Sequence, residues 1–133
     1  GNKAISVNQL NWFNHSLSMY SNTQENIIYL FECVRDFDYA SKAKCLELLF
    51  KYSNDFETFK KINLNPTMIS FSVSEIPYIR DHISFYEKVK EIIPPDICFI
   101  DHLAYIDEIL QYLKKSISRT LINEKKRSNK LNC

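Results

Sequence analysis

The side chains able to do chemistry in this chain are scattered. His15, His82 and His102 stand in no His-Glu-x-x-His or equivalent spacing. His82 and His102 flank one predicted helix pair with Cys98 nearby, a combination open to two readings: a metal cluster, or separate side chains at the surface or core edge. Cys33, Cys45, Cys98 and Cys133 include no Cys-x-x-Cys pair and no zinc-finger spacing. Cys33 and Cys45 fall in helical patterns, where buried free thiols are common. Reduced thiols in an intracellular protein are therefore expected over a disulfide framework. The carboxylate pairs Asp36/Asp38 and Asp107/Glu108 are too close in sequence to oppose one another across a cleft, and they read as caps and surface charge. Serines are numerous, but none has an indicated base or oxyanion donor. The residues argue for no catalytic group, no metal site and no cofactor.

Glycine is nearly absent, which narrows the chemistry further. Among 133 residues the single glycine is Gly1. Dinucleotide fingerprints, P-loops, nucleophile elbows and calcium loops each need a glycine that this chain lacks. Gly1-Asn2-Lys3-Ala4-Ile5-Ser6 superficially resembles a myristoylation signal, but the serine falls one position too late. A remnant of protease cleavage is the expected origin of Gly1. With few tight turns available, 45% hydrophobic and 25% charged residues predict an all-helical bundle in one domain over residues 1–133. Helix ends are expected at asparagines, which tolerate the left-handed conformation best after glycine: Asn22, Asn54, Asn63 and Asn65. No apolar stretch approaches the ~20 residues of a membrane span.

Apolar spacing supplies the elements. Leu10, Phe13, Leu17 and Tyr20 define a helix over 8–20. Ser21 and Gln24 resemble a capping box for a second, running to about Phe37 with Ile27, Leu30, Phe31 and Val34 inward. Asp38 caps a third over 39–52, carrying Ala43, Leu46, Leu49 and Phe50. One or two turns over 55–61 hold Phe56 and Phe59 inward, and Asn63-Leu64-Asn65-Pro66 reads as a turn, with Pro66 able to start a short helix. Residues 70–78 alternate but have no strand to pair with, so a loop with a short helix is expected. From Asp81, the residues Ile83, Tyr86, Val89, Ile92 and Ile93 form another stripe, which Pro94-Pro95 stops. Asp96 caps the last element, a long terminal helix that carries Ile106, Ile109, Leu110, Leu113 and Ile117.

Charge is uneven. Residues 114–133 carry seven basic and one acidic side chain, against ten basic and fifteen acidic in residues 1–113. The basic end reads as a solvated helix fraying into a linker, or as a segment drawn to an anionic membrane surface. Nucleic acid is not an expected partner, because the body is acidic and no basic–aromatic platform is evident.

The informative segment is Thr23-Gln24-Glu25-Asn26-Ile27-Ile28-Tyr29-Leu30-Phe31-Glu32-Cys33-Val34-Arg35-Asp36-Phe37. An acidic–Asn pair at a helix start before an aromatic-rich face resembles the hallmark of regulator of G-protein signalling (RGS) domains. Ala40-Ser41-Lys42-Ala43-Lys44, then Lys61-Ile62-Asn63-Leu64, then Phe85, Val89, Ile92 and Asp96 come in a similar order, so the resemblance covers roughly residues 10–112. It implies a bundle of about nine helices in the cytoplasm that binds the switch regions of a G-protein α subunit and accelerates its GTP hydrolysis. Such a domain acts by preferring the switches in their transition-state arrangement, not by side-chain chemistry. The implied contacts are Thr23, Glu25 and Asn26, an apolar contact at Ile92, and Asp96 as acceptor of a switch hydrogen bond. Two departures bear on acceleration. Ser74-Glu75-Ile76 stand where the family usually has an asparagine, and Ile100 stands where an arginine braces the aspartate. A helical adaptor without GTPase acceleration, or one offering a groove to an amphipathic partner helix, is the alternative.

Overall fold

The computed structural model describes residues 3–64 and 73–131. The turn expected at Asn65-Pro66, the helix from Pro66, the alternation at 70–72, Gly1 and Cys133 lie outside them. Among the described residues there are six α-helices: α1 (Val7–Tyr20), α2 (Gln24–Cys33), α3 (Tyr39–Tyr52), α4 (Phe56–Lys61), α5 (Ile76–Ile92) and α6 (Ile100–Leu131). Short 3-10 turns at Val73–Glu75 and Ile97–Phe99 precede α5 and α6. The all-helical class is as expected; among the described residues the helices do not reach nine.

Helix starts depend on side-chain capping. Ser6 caps α1, accepting from the Gln9 N–H at 3.1 Å, while Gln9 Oε1 accepts from the Ser6 N–H at 2.9 Å. This reciprocal box sits at Ser6, whereas Ser21 ends α1 and Thr23 caps α2. Asp38 caps α3 through the Ser41 N–H at 2.9 Å, and that bond, with one from the Ser41 hydroxyl, holds its carboxyl below the usual range. α5 begins five residues before the expected Asp81, because Pro77 sits in its first turn, where a missing N–H costs nothing.

Helix ends depart from the asparagine expectation. No described non-glycine residue has positive φ. Ser53, Ile62 and Ile93 end their helices in extended backbone, each donating its N–H to a carbonyl of the last turn. α2 stops at Cys33 and not near Phe37. Its exit tightens to three-residue bonds, from Val34 to Phe31 and from Phe37 to Val34, and Asp38 then donates its N–H to the Lys3 carbonyl at 2.8 Å.

Cross-helix contacts fix the directions. Ile5 donates its N–H to Ser41 Oγ at 2.9 Å and Tyr52 its hydroxyl to Asn14 Oδ1 at 3.0 Å, so α1 and α3 run alongside in one sense. The Tyr39 ring stacks on Phe85 at 4.7 Å and Phe50 meets Phe99 at 5.4 Å, giving α5 the same sense. α2 returns along α1 with Phe13 edge-on to Phe31 at 5.3 Å. α6 returns along α5, with Lys90 paired to Asp107 at 2.7 Å. One core joins them: Phe13, Leu17, Leu46, Ile79, Val89 and Ile106 are fully buried. The turn between α1 and α2, α4, and the loop between α5 and α6 consequently meet at one end of the bundle.

Candidate functional site at one end of the bundle

α4 is the strut of that end. Its first turn is fixed by Asp55, which accepts from the Thr58 N–H at 3.0 Å and from the Thr58 hydroxyl; these bonds hold the Asp55 carboxyl below its ordinary range. On one side Gln24 Nε2 donates to Thr58 Oγ1 at 3.3 Å, and Lys61 Nζ donates to Gln24 Oε1 at 2.9 Å. On the other, Phe56 and Phe59 pack against His102 and Tyr105 of α6 at 4.8–6.1 Å. α4 thereby ties the start of α2 to the first turns of α6.

The sequence-assigned residues can now be placed. Thr23 caps α2, its Oγ1 accepting from the Asn26 N–H at 3.3 Å. Glu25 is exposed in the first turn of α2, where the helix dipole favours a carboxylate, and Asn26 is half-buried one residue on. Neither side chain has a hydrogen-bond or ion-pair partner among the described residues. Asp96 is exposed and accepts from the Cys98 N–H at 2.8 Å, a bond that lowers its carboxyl below the usual range. It caps the 3-10 turn and not α6 itself. Ile92 packs partly against the core, and the strongly exposed apolar side chains of this loop are Ile97 at 83% and Ile100 at 61%. Thr23→Ala should lower folding stability by about 1 kcal/mol in urea titration, with Thr23→Ser nearly neutral, because the cap is the hydroxyl.

Residues 74–76 lie at the opposite end of α5, whose 17 residues span about 25 Å. They do not join this rim. Asn63, read from sequence as a helix stop, is exposed two residues beyond Lys61 and belongs to the candidate end. Its place at this end follows from Lys61, whose bond to Gln24 needed the tertiary fold. Ile97 was hidden likewise, as an apolar residue in a sequence that otherwise buries them.

His82 and His102 are not at the core edge and do not gather with Cys98. His102, 1% exposed, lies among the rings of Phe50, Phe56, Phe59 and Phe99 at 4.8–5.9 Å. His82, 4% exposed, packs on Tyr39 at 5.6 Å, between α3 and α5. Among the described residues no three His, Cys, Asp or Glu side chains converge as metal ligands would. Among the described cysteines Cys33 and Cys98 are exposed and Cys45 is buried, which pushes its thiol up to about 12. Among the described residues no helix is long and apolar enough to cross a membrane.

No family model matches this chain, and the comparisons with curated proteins and with solved structures likewise returned no match.

Proposed function

We propose that this helical bundle is an RGS-like domain of a cytoplasmic signalling protein, binding the switch regions of a G-protein α subunit. The observation that supports the reading is the role of α4. By bonding Gln24 on one side and packing on His102 and Tyr105 on the other, it sets the start of α2, with Glu25 and Asn26, at the same end of the bundle as the loop that carries Asp96. Each has the chemistry a switch backbone asks for: Asn26 offers both a donor and an acceptor, and Asp96 an acceptor already oriented by the Cys98 N–H. Asn63 adds an exposed amide, and Ile97 supplies apolar contact area.

Acceleration of hydrolysis requires the bound switches to be held in their transition-state geometry. Ile100 carries no donor to brace Asp96, so the Cys98 N–H takes that part. Asn63 is the amide at this end that could orient a catalytic glutamine, in place of the absent asparagine at residues 74–76. The test is binding to α subunits loaded with GDP alone or with GDP and aluminium fluoride. Tighter binding to the mimic supports the reading; equal or absent binding by the folded domain removes it. Single-turnover hydrolysis then separates an accelerator from a silent binder.

A second reading, a helical adaptor, is favoured by one feature. A groove of about 550 Å³ runs between α3 and α5, with Tyr39, Ala43 and Phe85 along its floor and Lys44, Glu47 and Lys88 on its rim. An amphipathic helix would fit such a channel. Filling it with Ala40→Trp would abolish adaptor binding and leave recognition at the α4 end unchanged.

A further inference from the structure

α6 outruns the bundle. Lys90 pairs with Asp107 and Lys114 with Glu87, at 2.7 and 3.4 Å, which sets the α5–α6 hairpin. Because α5 begins at Ile76, its partner has turns to spare. Packing on α6 ends with Leu113, Ser116 and Thr120, and every residue from 121 to 130 is exposed.

The basic residues of this projection are ordered. Lys115, Arg119, Ile122, Lys126 and Lys130 recur at steps of four, three, four and four, which keeps them within roughly 80° of arc on a helix. That line is centred about 110° around the helix from the packed face of Leu113, Ser116 and Thr120. The four cations are exposed and have no ion-pair partner among the described residues. Of the three other basic groups two are paired, Lys114 by Glu87 and Arg127 by Glu124 at 3.8 Å, and Lys125 falls off the line. Glu124, the sole acid of residues 114–133, falls on the side of Thr120, away from the line.

We propose that this face of α6 docks on the surface of an anionic lipid bilayer. Four unpaired cations in one line match the negative potential of such a surface. Ile122, 52% exposed in the middle of the line, supplies an apolar side chain that enters the headgroup–acyl boundary. A nucleic-acid backbone would leave it in water. The projection also carries the line clear of residues 1–113, which hold fifteen acidic against ten basic side chains. The candidate end for an α subunit lies at the other terminus of α6, about 48 Å from the tip for 32 residues, so neither proposal depends on the other.

The test is cosedimentation of the full chain with phosphatidylcholine vesicles, with or without phosphatidylserine at about 30 mol%. Binding should require phosphatidylserine and fall steeply as salt rises from about 0.1 to 0.5 M. The variant K115Q/R119Q/K126Q/K130Q should lose several hundred-fold in partitioning, since each charge at the surface contributes roughly five-fold. K114Q/K125Q/R127Q should lose far less, and Ile122→Ser should weaken binding without removing its salt dependence. Circular dichroism checks that α6 stays helical. Binding that ignores phosphatidylserine, equal losses in the two charge variants, or preferential capture by duplex DNA in competition would each overturn the proposal.

Discussion

Phe50→Ala is expected to cost about 3–5 kcal/mol of folding stability, the range for emptying a buried aromatic site. Phe50 is 7% exposed and meets Phe59 at 5.7 Å, Phe99 at 5.4 Å and His102 at 5.9 Å. Those rings come from α4, the 3-10 turn and α6, so one side chain at the end of α3 seats all three. The cavity cannot collapse easily, because α4 is anchored at Gln24 and packed on His102 and Tyr105. Urea denaturation should show the loss as a lower midpoint with an unchanged slope. A change below about 1 kcal/mol would mean that the loop does not rest on this ring. The same variant should weaken α-subunit binding, since Asp96 would lose its footing.

Acidification should destabilise the fold well above the pH at which carboxylates titrate. Burial pushes the imidazoles of both His82 and His102 below their ordinary value. Asp101 and Asp55 oppose this at His102. At His82, the carbonyl of Tyr78 and Asp81 oppose it, while Lys42 adds to it. The unfolded chain takes up protons near pH 6.5, where the folded chain does not. Stability from these histidines is therefore fully present above about pH 6.5 and is lost as pH falls below it, by up to about 1.4 kcal/mol per histidine per pH unit. Asp38, Asp55 and Asp96, all held below the usual carboxylate range, lose their contributions only at lower pH, near 4 and beneath. Denaturation curves between about pH 7.5 and 5 should show the histidine slope. His102→Phe should remove about half of it, and a flat profile would contradict the buried neutral pair.

What could be read from the sequence was local. Steps of three and four placed α1, α3, α5 and α6, and Asp38 marked its own cap, because these signals need only neighbours on one helix. The errors share a cause. The helical period runs past Cys33 because Val34 and Phe37 keep it, yet both are buried from a turn that is bridged to Lys3. The asparagine stops failed because an extended residue after the last turn serves as well. His102 looked peripheral because its four aromatic neighbours come from three segments. The candidate end was legible as a set of residues, Thr23, Glu25, Asn26 and Asp96, but not as a surface. Its assembly depends on Lys61 reaching Gln24 across 37 positions, which no local spacing signals, and it leaves Ile92 half inside while exposing Ile97 and Asn63.

The most direct measurement is the affinity of the wild-type domain, Glu25→Lys and Asn26→Ala for an α subunit in its GDP and GDP–aluminium fluoride forms. The wild type should prefer the mimic, with that preference reduced on the order of 10–100-fold in both variants, the loss of one or two hydrogen bonds to a buried partner. Unchanged affinity for the mimic in both folded variants, or no preference in the wild type, would contradict an RGS-like role for this end of the bundle.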